Sequence, residues 1–82
     1  MLSNPVYDPY QILTKIYSEG AHLKQAIADT YIEEINRART VKIVYGVLEN
    51  DLYFDFCIRR YAPKAPKLAV RTLLKISLYM LL

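Results

Sequence analysis

Six cations close the chain with no acid among them: Arg59, Arg60, Lys64, Lys67, Arg71 and Lys75. Lys67, Arg71 and Lys75 recur every fourth residue, which on a helix places them in one row. Like charges at that spacing repel slightly. A row that nothing neutralises is therefore either a plain solvated face or a surface that meets phosphates. The rest of the chain has the opposite balance. Residues 1–58 hold five basic and eight acidic side chains, a balance of −3, and residues 59–82 carry +6. Within a net charge of only +3, this division implies that one end of the molecule meets a polyanion.

The other reactive residue types do not assemble into a catalytic pattern. His22 has no carboxylate or cysteine at ligand spacing and reads as a surface or packing residue. Cys57 is the single cysteine, which excludes an intramolecular disulfide and most cysteine zinc sites. Its apolar neighbours make it a small buried hydrophobe suited to a reducing cytoplasm. Glu33 and Glu34 are adjacent and expected in solvent. The chain contains no Ser/His/Asp or Cys/His arrangement, no glycine-rich phosphate loop and no dinucleotide fingerprint. No enzymatic activity and no cofactor are expected of the chain alone.

Eighty-two residues make one small domain with a modest core. Only two glycines and four prolines punctuate it, which favours a few long elements over many short strands. Residues 1–8 read as a leader, without the basic flank and apolar core of a signal peptide. Asp8-Pro9-Tyr10-Gln11 combines a capping residue, a proline suited to the first helical position and a capping-box glutamine. The first helix is expected to run from there to Gly20, which can take the left-handed turn that ends a helix. A short second helix spans about Ala21 to Asp29, with Leu23, Ala26 and Ile27 as its apolar stripe.

Thr30-Tyr31-Ile32-Glu33 reads as a capping box opening a third helix that ends near Glu49. This helix is apolar on two sides: Ile32, Ile35, Ile43, Gly46 and Val47 on one, Val41, Val44 and Leu48 on another. It is therefore expected at the centre, wrapped by the others. Arg37 shares the second side and is expected to be a partly buried structural charge. Gly46 costs a helix about 1 kcal/mol relative to alanine, and the expected compensation is close approach of a neighbouring helix. Asn50-Asp51 starts a fourth helix whose apolar face is Tyr53, Phe54, Cys57, Ile58 and Tyr61. It ends before Pro63, and Ala62-Pro63-Lys64-Ala65-Pro66 is a connection. Pro66 opens a fifth helix with the core face Ala69, Val70, Leu73, Leu74, Ser77, Met80 and Leu81. Its apolar run is broken by Arg71 and Lys75 and is too short to span a bilayer. The whole reads as an all-α bundle of five helices.

Two stretches about thirty residues apart carry a resemblance: Arg37-Ala38 with Ile43-Val44-Tyr45-Gly46-Val47-Leu48, and Arg71-Thr72-Leu73-Leu74-Lys75-Ile76-Ser77-Leu78-Tyr79-Met80-Leu81-Leu82. Together they resemble the NusB-like helical domain, in the version found at the N-terminus of bacterial small-subunit rRNA cytosine-C5 methyltransferases. The resemblance covers roughly residues 9–82. It implies an all-helical, cytoplasmic RNA-binding domain that positions rRNA for a separate catalytic domain. The antitermination factor of the same fold implies instead a pairing with RNA and a small ribosomal protein. The S-adenosylmethionine-binding domain and its cysteines have no counterpart here, and Cys57 does not match them. About two further helices of the family domain follow the last matched helix, so the chain reads as a fragment or a shortened relative.

On this reading Arg59, Arg60, Lys64, Lys67, Arg71 and Lys75 are the RNA contacts. Tyr61 and Tyr79 are expected to cover the core, although either ring has the chemistry to stack on an exposed base. Leu78, Met80, Leu81 and Leu82 are expected to stay partly exposed, and a symmetric dimer is expected through helix five or the opening face of the bundle.

Overall fold

The computed structural model describes residues 6–62, 64 and 66–81. These form five helices: α1 (Tyr7–Glu19), α2 (Leu23–Ala28), α3 (Glu34–Glu49), α4 (Asp51–Tyr61) and α5 (Leu68–Leu81). No strand occurs among the described residues, so the all-α expectation holds. Residues 1–5 of the expected leader, Pro63 and Ala65 of the connection, and Leu82 lie outside the described residues.

Several helix boundaries follow local chemistry different from the capping patterns. α1 takes in Tyr7 and Asp8, and Asp8 makes no capping bond; Val6 precedes the helix. Gln11 donates to the Tyr7 hydroxyl at 2.9 Å instead of closing a capping box. Gly20 does end α1 in the left-handed region, at φ 69°, and its N–H donates to the carbonyl of Ile16.

The capping box at Thr30 does not form either. Thr30 is buried and closes α2: its hydroxyl donates to the Ala26 carbonyl at 2.8 Å and accepts from Lys15 Nζ at 2.8 Å. Lys15 also donates to the Asp29 carbonyl at 3.3 Å. One lysine from α1 thus serves the carbonyl end of α2, where a cation is favoured. α3 consequently starts four residues after Thr30, with Glu33 as its extended flanking residue. Glu33, Glu34 and His22 are exposed, as expected.

α3 does not sit alone at the centre of the bundle. α1 packs on α2, α3 and α5, α3 packs on α1, α4 and α5, and α5 packs on α1, α3 and α4, so these three helices share the centre. α3 presents one face inward through Asn36, Thr40, Ile43, Val44 and Val47, with Val41 and Leu48 half-buried. Arg37 is exposed, not buried; the polar residue the core takes at that turn is Asn36, whose side-chain oxygen accepts from Arg39 at 2.8 Å. A two-atom amide can enter where a guanidinium with five donors cannot be satisfied. Ile35 is 87% exposed, because it lies about 120° round the helix from the stripe that α3 buries.

Gly46 behaves as expected. A Cβ there would fall inside the Tyr79 ring, so α5 approaches α3 through that ring. We expect Gly46→Ala to destabilise the domain by about 1–2 kcal/mol, overpacking outweighing the gain in helix propensity. Combining it with Tyr79→Ala should restore most of the loss relative to Tyr79→Ala alone. Additive urea-melt values for the pair would contradict the contact.

At the α3–α4 junction Asn50 ends one helix and begins the next. Its side-chain N–H donates to the Gly46 carbonyl at 2.8 Å, and its own carbonyl accepts from Phe54.

Candidate nucleic-acid interface

The row Lys67, Arg71, Lys75 runs from water into the protein. Lys67 is exposed and Arg71 half-buried, while Lys75 is 3% exposed. Lys75 is therefore not available to a phosphate, a correction to its assignment as an RNA contact. Its amine bonds Asp51 Oδ1 at 2.8 Å and Asp55 Oδ1 at 3.0 Å, and stands 4.6 Å from the centre of the Tyr17 ring. The Tyr17 hydroxyl donates to the same Asp51 oxygen at 2.5 Å. Burial, then the hydrogen bond to Asp51, and then the charges of Asp51 and Asp55 push Tyr17 well above its ordinary range. Arg71 opposes that push, so its charge is felt at the same node.

This node follows from helix geometry. Asp51, Phe54, Asp55 and Ile58 stand at i, i+3, i+4 and i+7, so both acids share the stripe that α4 buries. Two carboxylates on a core-facing stripe require a cation opposite, and Lys75 bonds both. α5 turns its cationic side inward as a result. It buries Thr72, Lys75 and Ile76, half-buries Leu78 and Tyr79, and leaves Val70, Leu73, Leu74 and Met80 substantially exposed. The expected core face of α5 is thus its outer face, and Ser77 lies there with its hydroxyl donated to the Leu73 carbonyl.

The Tyr17 hydroxyl gives the node a pH signature. Its pKa is higher in the folded than in the unfolded chain. The stability it contributes is therefore fully present below the unfolded value, about 10, and is lost as the pH rises beyond it. We expect the stability of the wild type to fall more steeply above that pH than that of Tyr17→Phe. Parallel alkaline melting profiles for the two proteins would contradict this.

The remaining cations gather at one end of the α4–α5 pair. Arg59 and Arg60 lie exposed in the last turn of α4, Lys64 is exposed in the connection, and Lys67 immediately precedes α5. From Arg59 through Leu81 no acidic residue dilutes them. The α4 carbonyls accept from Ala62 and favour the two arginines, but both keep their guanidinium groups in solvent. Tyr61 is 84% exposed beside them and does not cover the core as expected, whereas Tyr79 does. The expected apolar face of α4 also divides: Phe54 and Ile58 are buried, Cys57 is half-buried, and Tyr53 faces outward.

Arg59, Arg60, Lys64 and Lys67 thus flank the α4–α5 connection as an exposed basic elbow, with Arg71 in the first turn of α5. Lys75 belongs to a separate, internal ion cluster. Among the described residues no three His, Cys, Asp or Glu side chains gather at metal-binding distance, and no helix is long and apolar enough to cross a membrane. No protein-family model, curated protein or solved structure matches the chain.

Proposed function

We propose that this chain is an RNA-binding accessory domain that holds rRNA through the basic elbow of Arg59, Arg60, Lys64 and Lys67, with Arg71 in support. The observation that carries this reading is the run of exposed cations around the α4–α5 connection, in a stretch from Arg59 to Leu81 that holds no acid. Phosphates bind such a surface through counterion release, without any need for a built pocket. The resemblance of the α3 and α5 segments to the NusB-like domain of rRNA cytosine-C5 methyltransferases supports the same reading. Under it a catalytic domain outside this sequence does the chemistry, and the chain itself performs none.

The test is an anisotropy titration with labelled rRNA fragments at low and moderate salt. Binding should weaken as salt rises and be lost on charge reversal of Arg60, Lys64 and Lys67. Unchanged binding by the reversed variant sinks the proposal. Lys75 is left unchanged in this variant, because it is held in the buried ion cluster with Asp51 and Asp55.

A second reading rests on a different observation. Val70, Leu73, Leu74, Met80 and Leu81 form an exposed aliphatic strip along α5. Exposed apolar strips of this kind mark protein contacts. The occupant that fits is a second copy packed antiparallel. A two-fold arrangement would set the Lys67 and Arg71 ends far apart, each near the carbonyl end of the partner helix. Light scattering should then give a dimer at high micromolar concentration, converted to monomer by Leu74→Lys. A monomer in the unmodified protein would contradict it, and binding that survives high salt would mark a protein partner in place of RNA.

A further inference from the structure

The outer face of α4 carries aromatics where α5 carries aliphatics. Tyr53 is 57% exposed, Phe56 61% and Tyr61 84%. At 100° per residue, Phe56, Arg60 and Tyr53 fall within an arc of about 60° on the outer side of the helix, opposite Asp51 and Asp55, and the exposed Tyr61 follows about 80° further round, beyond the half-buried Cys57. Arg60 stands within that arc, between the rings. The Tyr53 ring is braced from below: it lies 6.0 Å from the buried Phe54 ring, tilted by 50°.

We infer that this face is a stacking platform for unpaired nucleotides, so that the ligand class is single-stranded RNA and duplex RNA is discriminated against. The inference rests on the RNA-binding reading above and adds to it what the bases, as opposed to the phosphates, touch. Exposed rings would gain from any apolar partner, but the chemistry beside them selects. A protein surface would have to bury Arg60 in the middle of the patch, with Arg59 and Lys64 at its edge. A single strand offers both complements at once. Its bases present π-faces to Tyr53, Phe56 and Tyr61, and its phosphates meet the guanidinium and ammonium groups alongside. Tyr53 and Tyr61 are eight residues apart, about 12 Å of helix at 1.5 Å per residue, room for two or three bases in succession. In a duplex the base faces are stacked on one another and unreachable, leaving only the phosphate contacts.

The experiment compares a short unstructured RNA with the blunt duplex made from it. Each is titrated with the wild type, with Tyr53→Leu/Phe56→Leu/Tyr61→Leu, and with Arg59→Gln/Arg60→Gln/Lys64→Gln/Lys67→Gln. Leucine keeps the apolar area and removes the π-face, and all three positions are exposed, so the fold is preserved; circular dichroism melting checks this. The wild type should prefer the single strand, and the leucine variant should lose ~tenfold or more on it with little change on the duplex. Tyr61→Phe, which keeps the ring, should bind as the wild type does. If the leucine variant binds the single strand undiminished while the glutamine variant does not, the platform is overturned and the phosphate elbow stands. Equal wild-type affinity for the two RNAs overturns the platform as well. If the wild type binds neither RNA, both readings fall together.

Discussion

Lys75→Ala should lower the stability of this domain by about 3 kcal/mol, more than any other single change considered. The amine is buried against α1 and α4 and bonds two carboxylates. Its removal leaves Asp51 and Asp55 facing each other across a cavity, with Tyr17 bonded to one of them. Breaking a buried ion cluster by deleting one member costs about 3–5 kcal/mol, and the two carboxylates here retain some contact with water, which places the loss at the lower end. A small domain has only about 5–15 kcal/mol in all, so the change removes a large part of it. Lys75→Met alone should fare little better, since it fills the cavity but leaves the acids unpaired. Replacing the node as a unit, with Lys75→Met, Asp51→Asn, Asp55→Leu and Tyr17→Phe together, should recover most of the loss. Urea denaturation of the three proteins measures this. Near-wild-type stability of Lys75→Ala would mean that the amine does not hold α5 to α4.

The second large effect concerns binding. Arg59, Arg60, Lys64 and Lys67 are exposed, and none of them shares in the Lys75 cluster. Four phosphate contacts on a single strand give a slope of about −3 in log affinity against log salt, or ~50-fold weaker binding between 50 and 200 mM. Changing all four to glutamine should abolish nearly all of that salt-dependent affinity while leaving the melting temperature within a few degrees of the wild type. The two experiments separate two groups of cations that are adjacent in sequence. One residue of the basic run is buried in the fold and four stand exposed. A glutamine variant that melts far below the wild type would place some of these side chains in the packing.

The five helices were legible because their stops and starts are chemical: Gly20, Asn50-Asp51 and the proline-bearing connection each end a helical pattern for a local reason. Gly46 was legible as a close-approach glycine because only a packing gain offsets its helix cost. The orientation of α5 was not. The helix is apolar around most of its circumference, so periodicity alone could not choose between the side with Leu73 and Leu74 and the side with Thr72 and Ile76. The decision lay on another helix, in Asp51 and Asp55, whose spacing put both on the buried stripe of α4. Two acids beside Phe54 and Ile58 were the available signal that a cation of the basic run faces inward. Arg37 and Asn36 illustrate the same limit at finer scale, since they stand about 100° apart on α3 and which of them enters the core depends on which side of the helix meets its neighbours. The candidate interface was legible as a charge imbalance. That Tyr61 accompanies it was not legible, because helical spacing groups Tyr61 with the buried Ile58 and does not show where along α4 the packing ends.

The most direct measurement is the salt dependence of wild-type binding to a single-stranded rRNA fragment. Saturable binding with a slope near −3 is the predicted result, as expected for about four phosphate contacts. Absence of saturable binding at the lowest salt, or an affinity indifferent to salt, would contradict an RNA-binding role for the basic elbow.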